Sequence, residues 1–428
     1  MATARERLRR LKDSIPVIAF GSAESADRPA NPVTTFYLIA VPAVILAVFG
    51  LLMGFSAQAV ASIADEQNPY LAYIRPVVII LVASSIAYIA HKTPIDAIKR
   101  FTWPLFVLAM LLQSLVATPL ARSEGGNANW VWIPGLPFFV QPSEFLKLAL
   151  ILALAASLTH PGARLQDWKQ MAVKAGGLTM VAIGGVLLGH DLGTAMIVAA
   201  SAMGALWVAG LPKKWFAVLG TAAVPALGVL VASNPTRLRR ILAVIPGVGA
   251  GRDLSAPEQI DHSLWAFGSG GLAGLGPGAS REKWNYLQAA RTDFIFAIIG
   301  EEFGLLGTLA VLLTIGLLVW GMIRVVQAAS DPYVAIASAG VATWIGAQAI
   351  VNVLSVTGVG PVIGVPLPLV SYGGSAFLFT ALAIGVVASF ARAEAGMTMW
   401  GRSDASTRGR DPRTAPRRRR ADRATTRR

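Results

Sequence analysis

Residues 290–304 read ARTDFIFAIIGEEFG, with Asp293 separated from Glu301 and Glu302 by a run of apolar side chains. Ionisable groups in such a run are costly inside a membrane. Those that persist there face a bundle interior or a watery cavity and mark a functional site by default. A carboxylate in that setting can take a proton from a hydroxyl as general base or hold a divalent cation. At the helical rise the two glutamates lie about 12 Å beyond Asp293. Neighbouring helical residues point about 100° apart, so Glu301 and Glu302 cannot both face a cavity that Asp293 faces.

Four further polar stretches interrupt apolar surroundings. In QPSEFLK, Pro142 followed by Ser143 and Glu144 suits a helix start, and Glu144 and Lys147, three apart, can pair on one helix face as a structural ion pair. In GHDLGT, Asp191 between two glycines suggests a broken helix lining a cavity, with His190 beside it hydrogen-bonded locally. FGSGGLAGLGPGAS, 267–280, offers glycines for close approach to a ligand and backbone N–H groups that can hold an anion. The prolines and glycines of GVGPVIGVPLPLVSYGGSAFL, 358–378, forbid a regular helix and predict a re-entrant or cavity-lining segment.

The elements that must position these groups are membrane helices. The chain is 54% hydrophobic and 14% charged, too little charge for a soluble protein of 428 residues. Its apolar runs make an all-α polytopic membrane protein with about ten transmembrane helices. Residues 1–33 form a polar tail without the apolar core and cleavage site of a signal peptide. Residues 34–392 form the membrane domain, with one large extracytoplasmic loop at 234–291, and 393–428 form a basic disordered tail. Lys92, Lys99, Arg100, Arg164, Lys169, Lys213, Lys214 and Arg324 fall in connections that the positive-inside rule makes cytoplasmic, together with both termini. Much of the net charge of +14 is a C-terminal run of arginines, which reads as an anchor near anionic lipid rather than a nucleic-acid site. No cysteine is present, so thiolate chemistry and Cys-ligated metals are excluded.

On this topology every polar stretch faces the extracytoplasmic side. A transporter is expected to place polar groups at the midplane and on both faces; this arrangement is that of a one-sided active site. The external loop also carries Arg237, Arg239, Arg240, Arg252, Arg281, Lys283 and Arg291, an excess of bases suited to an anionic ligand.

QPSEFLK, DLGT, SGGLAGLG, TDFIFAIIGEEFGLLG and GVPLPLVSYGGS, in this order across residues 34–392, resemble the SEDS family (shape, elongation, division and sporulation), the FtsW and RodA type of peptidoglycan glycosyltransferase, with LLMGFSAQAV at 51–60 nearer the FtsW form. The resemblance implies a lipid II polymerase in the cytoplasmic (inner) membrane, working outside it with a class B penicillin-binding protein and other divisome proteins in septal wall synthesis. It casts Asp293 as the catalytic carboxylate. Arg237, Arg239, Arg240, Lys283, Asp191, Ser371 and Tyr372 become substrate-binding groups, and Glu301 and Glu302 packing or gating acids. A divalent cation, Mg²⁺ or Mn²⁺, is the one cofactor expected, with Asp293 its candidate ligand. Rival readings are a RodA-like elongation polymerase, a lipid II flippase and a non-catalytic division scaffold. The sequence departs from the family where YLPEAHTDF is usual: Gln288, Ala289 and Arg291 replace a proline, an acid and a histidine. His190 stands for a proline before DLGT, and Val131 for an arginine before WI.

Overall fold

The computed structural model describes residues 32–396 apart from 125–126, 133–138, 161–167, 234–237, 239–241, 243–258, 285–286 and 288. Helices α1 (Pro32–Ala64), α2 (Pro69–Lys92) and α3 (Ile95–Ser114) are followed by three short strands and then by α4 (Pro142–Thr159), α5 (Gly177–Leu188), α6 (Leu192–Val208) and α7 (Lys213–Ala232). The chain continues through α8 (Gln259–Gly270), α9 (Ile295–Ala328), α10 (Pro332–Val356) and α11 (Gly374–Glu394). Among the described residues, eight helices are long and apolar enough to cross a membrane, and two shorter apolar ones, Val173–Leu188 and Leu192–Val208, match the remaining expected spans. The chain is therefore an integral membrane protein.

Local chemistry sets the helix ends. Asn68, Asp191 and Asp331 cap α2, α6 and α10 by accepting N–H bonds from the first turn, and Pro69, Pro142 and Pro332 open their helices where a missing N–H does no harm. Packing then sorts the helices. Residues of α4, α10 and α11 are mostly buried, whereas α7 buries none of its side chains and is apolar all round.

The helices alternate in direction, and side-chain bonds identify the two ends. At one end Asn129 reaches Asp191, and Ser375 receives the Gln141 N–H. At the other, Lys99 pairs with Asp331, Ser330 bonds Glu394, and Arg392 donates to the His91 carbonyl. A small antiparallel sheet, absent from the all-α expectation, covers the first end. Its strands are β1 (Ala121–Glu124), β2 (Asn127–Trp132) and β3 (Phe139–Val140), in that order.

The loop expected wholly outside the membrane domain is not all outside, and here the structure corrects the sequence reading. Ser263, on α8, donates to the Val356 carbonyl at the end of α10, at 2.6 Å. Seven residues on, Gly270 meets the backbone of α9 so closely that a Cβ would lie 1.9 Å from the Gly300 oxygen. Helix α8 thus descends along α9, and residues 271–284 return. Helix α9 is interrupted at this level by Gly304 (φ 66°, ψ −163°). Leu305 and Leu306 donate not to the carbonyls one turn back but to Gly271 and Leu272, at 2.9 and 3.2 Å. The Glu301 and Glu302 carbonyls left over accept from Leu275 and Gly276, at 2.9 and 3.0 Å. The hairpin and the broken helix exchange backbone bonds, which is how non-helical chain is tolerated at depth.

Candidate active site

Asp293 lies in the turn that precedes α9, its side chain half-buried. Three successive carbonyls of that turn are held from outside it. Arg291 O accepts from the Tyr372 N–H at 3.0 Å, Thr292 O from the Ser371 hydroxyl at 2.6 Å, and Asp293 O from Asn352 Nδ2 at 2.7 Å. Buried carbonyls need partners, and here the partners also fix where the carboxylate stands. Asp293 Oδ2 would be 3.5 Å from a Cβ on Gly364, whose φ of +76° already favours glycine. The 361–366 segment passes the acid in a backbone conformation that favours glycine.

That segment is the proline-rich stretch foreseen as re-entrant. Its carbonyls are taken by a stripe on α10: Gln348 Nε2 donates to Pro366 O, Asn352 Nδ2 to Val365 O and Ser355 Oγ to Pro361 O, at 2.9, 2.8 and 2.7 Å. The sequence reading passed over these three residues, although polar groups at i, i+4 and i+7 in an apolar helix are a recognisable pattern. Gln348 Oε1 also accepts from Lys147 Nζ and Trp344 Nε1 at 2.9 and 2.7 Å. Lys147 in turn pairs with Glu144 at 2.9 Å, both side chains 2% exposed, as the three-residue spacing predicts.

Other residues expected to touch a ligand stand elsewhere. Asp191 is buried; its Oδ1 takes the Thr194 N–H and its Oδ2 the Thr194 hydroxyl, Asn129 and Gln141. It joins α6, β2 and the start of α4. His190 before it has φ +57°, which a proline, locked near −65°, cannot adopt. The family's usual residue is therefore incompatible with this corner. Ser371 is buried, its hydroxyl donating to Thr292 and accepting from the Leu367 N–H at 2.7 Å, so it holds the Asp293 turn. Lys283, placed by the sequence among external ligand-binding bases, lies inside the hairpin: Nζ contacts Glu302 Oε1 and Gly278 O at 2.7 Å and Ser56 Oγ at 2.9 Å. Three acceptors saturate an ammonium. Arg237, Arg239 and Arg240 lie outside the described residues.

The two glutamates occupy that same hairpin. Glu301 accepts from the Ser280 and Ser269 hydroxyls and the N–H groups of Arg281 and Glu282; Glu302 accepts from Lys283, Ser56 and the Gly278 N–H. The glycine-rich loop does wrap anions, as its sequence suggests, but they are the chain's own carboxylates. Among the described residues no group of three His, Cys, Asp or Glu side chains is placed to hold a metal ion.

A helical membrane body with a half-exposed carboxylate fixed at one end defines the class: a polytopic membrane protein with an acid held in the turn before one of its long helices. The FtsW, RodA and SpoVE family model, described as a cell cycle protein, matches residues 36–396, and the chain belongs to that family. It is 33% identical to the stage V sporulation protein E of Bacillus subtilis, covering 83% of this chain and 96% of that one. It is also 33% identical to the probable peptidoglycan glycosyltransferase FtsW of Coxiella burnetii, over 80% of this chain and 92% of the relative. The fold matches the rod shape determining protein RodA of Thermus thermophilus with a TM-score of 0.61 at 26% identity, covering 84% of this chain and 97% of RodA. A chain from a study of coordinated polymerization and crosslinking by a peptidoglycan synthase complex matches with a TM-score of 0.66 at 26% identity, covering 86% and 99%.

Proposed function

We propose that this chain is a peptidoglycan glycosyltransferase that polymerises lipid II at the outer face of the cytoplasmic membrane during septal wall synthesis. The observation that carries the reading is the contrast among its intramembrane acids. Glu144, Asp191, Glu301 and Glu302 are buried, whereas Asp293 is half-exposed in a turn clamped by two other segments, residues 371–372 and α10. Relatives named as peptidoglycan glycosyltransferases supply the reaction class. In that reaction Asp293 takes the proton of the 4-hydroxyl of an incoming lipid II sugar as the oxygen attacks the anomeric carbon of the growing glycan. A new C–O bond forms, the bond from that carbon to the lipid diphosphate breaks, and the diphosphate leaves on its undecaprenyl chain. One carboxylate is a donor set suited to a cation such as Mg²⁺, which is commonly held by one or two carboxylates and substrate phosphates. Asp293 would hold it, and it would neutralise charge on the departing diphosphate.

Sidedness rests on charge. Lys92, Lys99, Arg100, Lys213, Lys214 and Arg324 lie toward the end opposite Asp293, where the positive-inside rule puts the cytoplasm. A class B penicillin-binding protein is the proposed partner, supported by the fold match to a chain from a polymerising and crosslinking complex. A second reading, an elongation polymerase, is favoured by the match to a rod shape determining protein. Purified protein supplied with labelled lipid II tests the proposal. Glycan ladders are expected; transbilayer movement without polymer would make it a flippase, and neither activity would leave a scaffold.

A further inference from the structure

Helix α2 ends in two bases, His91 and Lys92, at the end of the bundle opposite Asp293. Side chains of α11 hold its last carbonyls. The Arg392 guanidinium donates to His91 O and Lys92 O at 3.0 and 3.4 Å, and the Ser389 hydroxyl to Thr93 O at 2.5 Å. Aromatic rings gather round this fixed terminus. Lys92 Nζ stands 4.7 Å from the centre of the Tyr88 ring, and the His91 ring lies 4.9 Å from Tyr88 and 6.2 Å from Phe36 on α1. Tyr88, and Tyr37 packed edge-on to Phe36, are 58% and 53% exposed. Tyrosines exposed near the end of a membrane helix sit at headgroup level. Further along the two helices Val41, Val44, Leu81 and Val82 are exposed, a surface for acyl chains. The α1–α2 hairpin is also polarised. Its tip, at the Asp293 end, exposes Asp65 and Glu66, whereas His91 and Lys92 stand at its open end. No carboxylate pairs with His91 or Lys92 among the described residues.

We propose that this end of α1, α2 and α11 binds one anionic phospholipid with a hydroxyl-bearing headgroup, of the phosphatidylglycerol type. The site is separate from the chemistry at Asp293 and does not rest on it. Lys92 donates to the phosphate through a charge-assisted bond, and Arg392 adds positive charge while keeping its carbonyls. His91 Nδ1 donates to Tyr88 O at 2.5 Å. Nε2 of the neutral ring is then an acceptor, and a glycerol hydroxyl can donate to it. A choline or ethanolamine headgroup would instead bring a cation toward Lys92 and Arg392, an arrangement that like charge disfavours. At the other end of the hairpin, the acidic tip repels the same anionic lipid.

The test is native mass spectrometry of the delipidated full chain titrated with single phospholipids. Phosphatidylglycerol is expected to bind more tightly than phosphatidylcholine. Lys92→Gln and His91→Phe are each expected to weaken phosphatidylglycerol about fivefold, the factor that about 1 kcal/mol gives for one basic residue at an anionic surface or one neutral hydrogen bond. The Arg392 and Ser389 bonds go to backbone carbonyls, so both variants keep the α2 terminus in place. His91→Phe is expected to leave phosphatidic acid, which lacks the headgroup glycerol, unchanged. Arg100→Gln removes an exposed charge from the same end of the bundle, on α3, and is expected to change little. A loss in Arg100→Gln as large as in Lys92→Gln would reduce the site to diffuse attraction by a basic surface and overturn it. Unchanged binding in the Lys92→Gln, His91→Phe double variant overturns it too, as does displacement by inorganic phosphate as effective as by phosphatidylglycerol.

Discussion

The two ends of TDFIFAIIGEEFG carry the same functional group in opposite settings. Asp293 sits in a turn whose three successive carbonyls are engaged while its side chain stays half-exposed. Glu301 and Glu302, at most 1% exposed, have their side chains surrounded by donors from the re-entrant hairpin. At Asp293 the protein fixes the chain and keeps the carboxylate half-exposed. At the glutamates it uses the carboxylates to fix the chain, because the N–H and hydroxyl groups of the buried hairpin need acceptors. Position along a helix does not make an intramembrane acid catalytic; what the surroundings do with its oxygens decides.

Exchanging chemistry for scaffold gives the largest expected effect. Asp293→Ala removes the proposed general base and is expected to lower polymerisation by about 10²–10⁴-fold. Its melting temperature in detergent should stay near that of wild type. Activity within a few-fold of wild type would return the chemistry to another residue.

Lys283→Met tests the scaffold side. It leaves Glu302 as an unpaired buried charge, and removing one partner of such a pair destabilises by about 3–5 kcal/mol. A clear fall in melting temperature is expected, with activity lost only in proportion to the unfolded fraction. If a fully folded Lys283→Met protein cannot use lipid II, the lysine contacts substrate after all and the division between the two regions fails.

Gly364→Ala probes the boundary between them. A side chain in the left-handed region costs about 1–2 kcal/mol, and the strain falls on the segment that lies against the Asp293 carboxylate. Polymerisation is expected to fall about tenfold or more while the protein stays folded, since tenfold corresponds to about 1.4 kcal/mol. A loss of stability with unchanged specific activity would make Gly364 a folding residue only. The smallest effect is expected from deleting residues 401–428. These follow α11, which ends away from Asp293, so polymerisation by the truncated protein in detergent should match that of the full chain.

The spans, the alternation of helix direction, the Glu144–Lys147 pair and the non-helical proline-rich stretch were all legible in the sequence. Each follows from a local rule: apolar length, helical periodicity, or the backbone limits of proline and glycine. The charged loop shows where such rules stop. Lys283 and the glycines of 267–280 look the same whether they meet a ligand or another part of the chain, since composition does not say which surface lies opposite. Only the tertiary structure sets α8 against α9, turning an external base into a buried partner of Glu302 and an anion cradle into a carboxylate clamp. Asn352 gives the complementary lesson. One polar residue in an apolar helix carries little meaning by itself, yet its amide bonds both the Asp293 and the Val365 carbonyls. Its role exists only because two segments far apart in the chain each bring it an unpaired carbonyl, and that pairing is decided by packing.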